Sequence, residues 1–224
     1  MKPITEEHLA VYRRHMVEVI DIHFDLISDE TGKPVMGDRL RAALLKVPRH
    51  YFVPHQLILA AYQDGPLPIG FEKTISQPFI AALMMDLLDI QPEDKVLDVG
   101  TGYGYQAAVL AELASHVWSI DVVEEFVEVA KSRMEALEYS NVTLRTGDGS
   151  RGWMDAAPFD KIIVAAAGEE VPGPLVDQLT PGGRLVMPLG NQDVQQVTLV
   201  EKATDGSVTT NAIMPARFTP LETN

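Results

Sequence analysis

The stretch Val96-Leu97-Asp98-Val99-Gly100-Thr101-Gly102-Tyr103-Gly104-Tyr105-Gln106 combines an acid and three alternate glycines at a spacing that can do chemistry. Lys95 to Val99 is rich in β-branched residues and follows Pro92-Glu93-Asp94, the pattern of a buried strand. The glycines let backbone come close to a ligand, and Ala107 to Leu113 reads as a helix whose free N–H groups favour anionic or polar ligand groups. A dinucleotide fingerprint would put its third glycine at position 105. Here it falls at Gly104, which counts against an NAD site. Asp121 ends the next apolar run, Val117 to Ile120, about 20 residues on, where a carboxylate can accept both hydroxyls of a ribose. A ribose-bearing cofactor without a pyrophosphate satisfies both facts, and S-adenosylmethionine is the candidate. The alternative is a tight βα turn in some other α/β domain.

Other residues carry weaker signals. Ser76 lies in Thr74-Ile75-Ser76-Gln77-Pro78, where Pro78 suits the first turn of a helix over 79–88 and Ser76 would cap it or sit just ahead of the cap. Asp148, between Gly147 and Gly149, can bond a purine edge, although such a triplet also serves as a plain turn. Ala165-Ala166-Ala167-Gly168 leaves room for close packing. His15 and His23 are eight apart on one helix with no second pair to complete a coordination shell, so no metal site is expected.

The elements that must position these residues follow from pattern and punctuation. Helices are expected over 6–28, 39–46, 56–62, 79–88, 107–113, 124–137 and 174–179, and strands over 95–99, 117–120, 141–145, 159–165 and 184–189. Pro181-Gly182-Gly183 closes the last helix, while 195–202 and 208–214, split by Thr204-Asp205-Gly206, read as a hairpin. This order predicts an α/β fold with a doubly wound, mostly parallel sheet and a C-terminal antiparallel hairpin. Asp98, Asp121, Asp148 and Ala165 then share the carboxyl ends of the strands, where such sheets bind ligands.

Composition bounds the partners. A chain of 224 residues, 46% hydrophobic, suits one α/β domain with a small N-terminal addition. No run is long enough for a membrane span, and Met1 to Glu7 lacks the apolar segment of an export signal. The absence of cysteine rules out disulfides and fits a cytoplasmic location. A net charge of −14 disfavours nucleic acid, which needs clustered Lys and Arg.

From about Val47 onward the chain resembles the protein-L-isoaspartate (D-aspartate) O-methyltransferase family. The matching residues are Val47-Pro48-Arg49 with Phe52-Val53-Pro54, Pro66-Leu67-Pro68-Ile69-Gly70, the Thr74 to Pro78 segment and the glycine loop. They continue with Gly147-Asp148-Gly149, Pro158-Phe159-Asp160, Leu179 to Leu185 and the terminal Arg217-Phe218-Thr219-Pro220-Leu221. The resemblance implies a fold of the S-adenosylmethionine-dependent methyltransferase type. It also implies methyl transfer to the free α-carboxylate of isoaspartyl residues in aged or unfolded proteins, with S-adenosylhomocysteine as product. Carried over, Asp98, Gly100, Thr101 and Gly102 would hold the methionine part, Asp121 and Val122 the ribose, and Asp148 with Gly149 the adenine. Ser76 would be the active-site residue, with Thr74 and Ile75 beside the cofactor. Ala165, Ala166, Arg217 and Phe218 would meet the substrate, Arg217 receiving its charge.

An α-carboxylate has a pKa of roughly 3.5 and is ionised at pH 7, so no general base is required. Ser76 is therefore read as a hydrogen-bonding positioner. Residues 1–78 are expected to cover the site and 79–224 to form the cofactor-binding domain, in a monomer or weak oligomer. Three departures stand out: a poorly matching first 46 residues with an apparent insertion over 29–37, Tyr103 in place of a small residue, and Asp121 in place of Glu. A methyltransferase of another small carboxylate or hydroxyl substrate and a cofactor-binding adaptor are the competing functions.

Overall fold

The computed structural model describes residues 4–191 and 193–223, so the first three residues of the stretch read for an export signal lie outside it. Helix α1 (Glu6–Leu26) opens on a Thr5 cap whose hydroxyl accepts the His8 N–H, with Glu6 and Glu7 in the first turn where the macrodipole favours acids. It buries Leu9, Met16, Val17, Ile20 and Phe24, one face at helical spacing. The single helix expected over 6–28 is interrupted at Ile27, and the short α2 (Ser28–Thr31) follows, ended by Gly32 in the left-handed region. Helix α3 spans Asp38–Lys46.

Two 3-10 turns, Arg49–Phe52 and His55–Ala60, replace the helix expected over 56–62. Leu57 N–H donates to Pro54 O at 2.8 Å and Ala61 N–H to Ile58 O at 3.3 Å, the three-residue spacing of a 3-10 turn. Strands β1 (Leu67–Gly70) and β2 (Lys73–Ile75) then pair as an antiparallel hairpin where the sequence reads as irregular. Its turn holds Phe71 and Glu72 at φ of 51° and 57°, a geometry usually signalled by Asn-Gly or Asp-Gly, so the turn was illegible. Helix α4 (Pro78–Leu87) starts on Pro78 and is buried on every side.

The remaining order is β3 (Lys95–Val99), α5 (Tyr105–Ala111), β4 (His116–Asp121), α6 (Glu124–Ala136), β5 (Val142–Thr146), β6 (Phe159–Val164), α7 (Gly173–Asp177), β7 (Leu179–Gly190), β8 (Gln195–Lys202) and β9 (Val208–Ala216). Seven strands form one sheet in the order β5-β4-β3-β6-β7-β8-β9. Strands β5 to β7 are parallel, and β8 and β9 add antiparallel at the edge, as the hairpin reading required. Strand β7 is longer than expected because it runs through Pro181-Gly182-Gly183, absorbed by a register shift against β6 between Phe159 and Lys161.

The sheet is covered on both faces. Val96 joins the larger apolar cluster, which reaches from Leu9 and Phe24 through Leu83 and Ala108 to Val197. Its neighbour Leu97 joins the smaller cluster around Phe159, Ile162, Leu175 and Leu185 on the opposite face. Because β3 has β4 on one side and β6 on the other, the chain leaves it in two directions, and a crevice opens at the carboxyl ends of β3 and β6. Among the described residues no helix is long and apolar enough to cross a membrane, and no His, Asp or Glu group could hold a metal.

Candidate active site

A cleft open to solvent occupies that crevice, with about 890 Å3 of space counting the solvent at its mouth. Its floor is the glycine loop. Gly100 N–H donates to Ile120 O at 2.8 Å and Ala165 N–H to Val99 O at 2.8 Å, so the tips of β3, β4 and β6 are stitched together. Gly100 sits at φ +97°, and a Cβ there would lie 3.3 Å from that of Ala165. The loop can therefore pass beside Ala165 only as glycine. A Cβ on Gly149, which lines the cleft from the end of β5, would stand 2.3 Å from Val99 Cγ1.

Asp121 ends β4 at the cleft wall. Its Oδ2 accepts the Gly102 N–H at 2.8 Å and its Oδ1 the Val123 N–H at 2.9 Å. Each oxygen keeps further acceptor capacity for a ligand. Burial raises the carboxyl's pKa, opposed by these two amide bonds. Two acceptors held side by side, amides fixed by the loop and the apolar walls of Ile69, Ile120 and Phe126 fit a nucleoside with a short polar tail.

Asp98 is placed differently from its expected role. It is fully buried beneath the loop and does not line the cleft. Its carboxylate accepts from Gln106 Nε2 at 2.7 Å and from Ser119 Oγ at 2.6 Å, and Ser119 also bonds Thr101 Oγ1 at 2.6 Å. Burial pushes the Asp98 carboxyl up to about 6. An acid so enclosed braces the loop from below. Asp148 is likewise outside the lining: its Oδ1 accepts from the Ser150 N–H and hydroxyl, and Oδ2 pairs with Arg151 at 3.3 Å. Thr101, Gly102, Val122, Ala165 and Ala166 do line the cleft.

Thr74, Ile75 and Ser76, at the end of β2, also line the cleft. Gln77, not Ser76, is the N-cap of α4, and no side chain caps that helix. The Ser76 hydroxyl has no partner among the described residues, while its carbonyl is fixed by Arg49 Nη2 at 2.7 Å. Arg49 stands in a motif that matches the family but was not singled out as a site residue, because it lies 27 positions upstream of Ser76 in an irregular stretch. Tyr103 turns its ring edge-on to Phe126 at 5.5 Å, under the Arg133 guanidinium at 4.2 Å, and so fits at the cleft wall.

The C-terminal tail crosses the mouth. Ala167 N–H donates to Thr219 O and Leu221 N–H to Ala167 O, and Thr219 to Glu222 line the cleft. Arg217 and Phe218 do not: Arg217 is exposed, and the Phe218 backbone is tied to the Gln195 side chain at 2.7 and 3.2 Å. His15 is exposed on α1, and His23 lies 3.3 Å from Asp64.

A doubly wound sheet with a glycine loop at its switch point and an acid on the next strand tip defines an α/β protein of the methyltransferase class. Comparison narrows the class: the model of the protein-L-isoaspartate(D-aspartate) O-methyltransferase family matches residues 23–224, and the chain belongs to that family. Protein-L-isoaspartate O-methyltransferase 1 of Polaromonas sp. (strain JS666) is 48% identical over 219 residues, covering 98% of this chain and 93% of the relative. The protein-L-isoaspartate O-methyltransferase of Gloeobacter violaceus is 47% identical over 195 residues, covering 86% and 95%. A solved protein-L-isoaspartate O-methyltransferase superposes with TM-score 0.74 at 28% identity over 89% of this chain, which spans 65% of that structure's length. A Plasmodium falciparum structure with S-adenosyl-L-homocysteine gives TM-score 0.80 at 21% identity, covering 95% and 99%, and supports the fold. The similarity begins well before Val47 and includes residues 29–37, so the early region is less divergent than its motifs suggested.

Proposed function

We propose that Ser76 presents the α-carboxylate of an L-isoaspartyl residue to a cofactor held by Gly100, Thr101, Gly102, Asp121, Val122 and Gly149. As a member of its family the protein is an S-adenosylmethionine-dependent methyltransferase acting on isoaspartyl residues, which begins repair of damaged chains. D-Aspartyl residues are a second substrate in this reading. The observation that carries it is that a serine hydroxyl without a partner among the described residues and a carboxylate able to accept from a ribose line one cleft.

The cofactor, when bound, supplies a methyl group already activated by the sulfonium. What remains for the chain is alignment and exclusion of water. Asp121 would accept from ribose hydroxyls, and the loop backbone around Thr101 would lie against the polar end. Thr74 and Ile75 meet the cofactor from the side of Ser76, and Ala165 and Ala166 leave room for the substrate backbone. The Ser76 hydroxyl donates to one carboxylate oxygen. No residue needs to remove a proton, because the nucleophile is already ionised. Asp98 supports the loop, and Asp148 shapes the turn that places Gly149 against the adenine.

Residues 1–78 act as the cover and 79–224 as the cofactor-binding domain. The protein works in the cytoplasm as a monomer or weak oligomer, and its cysteine-free composition agrees with the location. The test is methyl incorporation from labelled S-adenosylmethionine into an isoaspartyl peptide and its normal aspartyl twin. Labelling of the isoaspartyl peptide alone is expected; equal labelling, or none, overturns the reading.

A further inference from the structure

An anionic substrate entering a protein of net charge −14 needs a local cation. Two cations line the cleft among the described residues, Arg49 and Lys73. Lys73 is engaged by Glu222 at 2.5 Å. Arg49 is completely buried. Its Nε donates to Ala61 O at 2.8 Å and its Nη2 to Ser76 O at 2.7 Å, but Nη1 has no hydrogen-bond partner among the described residues. The guanidinium lies 4.8 Å from the Tyr105 ring centroid and interacts with the Tyr105 hydroxyl, also a cleft group, but the two make no well-aligned hydrogen bond, and neither that hydroxyl nor Nη1 has another partner among the described residues. Asp64 acts on this cation electrostatically, yet its oxygens already accept from Gln77 Nε2 and the Phe79 N–H and face His23.

A buried charge with an unsatisfied donor is among the costlier features a fold can keep, and a bound anion relieves it. We propose that Arg49 Nη1, with the Tyr105 hydroxyl, receives the substrate's α-carboxylate beside Ser76. This moves the charge-receiving role from exposed Arg217 to a residue inside the cleft. It rests on the isoaspartyl reading above. Because Nη2 also fixes the Ser76 carbonyl, one guanidinium sets both the serine and the carboxylate that the serine orients. Nε is spent and Nη2 has given one of its two N–H groups to the Ser76 carbonyl, so the wholly unpartnered nitrogen, Nη1, makes the grip in this proposal and the second carboxylate oxygen is left to react.

The experiment compares an isoaspartyl peptide with its α-carboxamide twin, each titrated calorimetrically into the full-length protein saturated with S-adenosylhomocysteine. Wild type should prefer the carboxylate by about tenfold or more, as a charge-assisted bond requires. In Arg49→Gln the preference should fall to within about twofold with S-adenosylhomocysteine affinity unchanged, while Arg217→Gln keeps the wild-type ratio. A preference retained in Arg49→Gln, or lost in Arg217→Gln, overturns the assignment. Should Arg49→Gln fail to fold, a crystal structure of the wild-type ternary complex decides: a carboxylate oxygen within hydrogen-bond reach of Nη1 supports the proposal, and one elsewhere refutes it. If wild type methylates the isoaspartyl peptide but Arg49→Gln keeps its preference, only this inference fails. No methylation by wild type removes both.

Discussion

Lys73 Nζ and Glu222 Oε1 meet at 2.5 Å across the mouth of the cleft, joining the β1–β2 hairpin to the C-terminal tail. Phe71, at the hairpin tip, adds an edge contact to Phe126 at 5.4 Å. Both segments line or flank the cofactor cleft, so opening them is one route for ligand exchange. Partly exposed pairs contribute about 0–1 kcal/mol, which limits the clasp to about a fivefold effect. Lys73→Ala and Glu222→Ala should each raise the dissociation rate of S-adenosylhomocysteine, measured by stopped flow, by up to about fivefold with little change in Tm. Raised salt should do the same to wild type and little to either variant. Unaltered dissociation in both variants would show that the tail does not gate exchange.

In the proposed reading Asp121 holds both the loop and the ribose, and the two demands predict how substitution fails. Asparagine keeps one acceptor oxygen but turns an amide donor toward either Gly102 N–H or Val123 N–H. Hydrogen bonds to charged groups are worth about 1.5–3 kcal/mol, so Asp121→Asn should weaken S-adenosylhomocysteine binding by about 10- to 100-fold. The KM for peptide at saturating cofactor should change far less. Calorimetry on the cofactor product and steady-state kinetics on the peptide separate the two. An intact cofactor affinity would remove Asp121 from the ribose site.

The sheet and the glycine-loop side of the cleft were legible because they rest on local rules. β-Branched runs ending at Asp98 and Asp121 gave two strand tips, and glycines at alternate positions gave the loop between them. The surroundings of Ser76 were not, because they depend on contacts distant in sequence. Arg49 reaches Ser76 across 27 positions from a 3-10 turn, and Phe71 and Glu72 make a left-handed turn that their residue types do not advertise. Asp98 could be found but not assigned: periodicity places it at the end of β3, yet only the packing shows Gln106 and Ser119 enclosing it below the loop. Arg217 illustrates the reverse error, since belonging to a matching motif does not aim a side chain into the cleft.

Ser76 provides the sharpest separation of binding from chemistry. Its hydroxyl caps no helix, so removing it should cost little stability. Ser76→Ala should keep wild-type Tm and cofactor KM while lowering kcat/KM for the isoaspartyl peptide by about tenfold or more, the loss expected for one bond to a charged oxygen. A cysteine at this position, a weaker donor, should recover little. Full kcat/KM in Ser76→Ala would leave the serine without a role in positioning.

Asp98 makes folding stability depend on pH in a direction opposite to that of a salt-bridged acid. Burial holds its carboxyl at about 6, above the ordinary 3.8. Between those values the folded protein retains a proton that the unfolded chain has released, so this group's contribution is fully present below about 3.8 and is lost as pH rises through about 6. Asp98→Asn removes the titration while preserving the network: its carbonyl can accept from Gln106, its amide can donate to Ser119 Oγ, and Ser119 can then donate to Thr101. The difference in Tm, variant minus wild type, should therefore climb as pH increases from 4 to about 7 and then level off. Differential scanning fluorimetry across that range reads it directly, and a flat or falling difference would mean that the buried acid stays charged throughout.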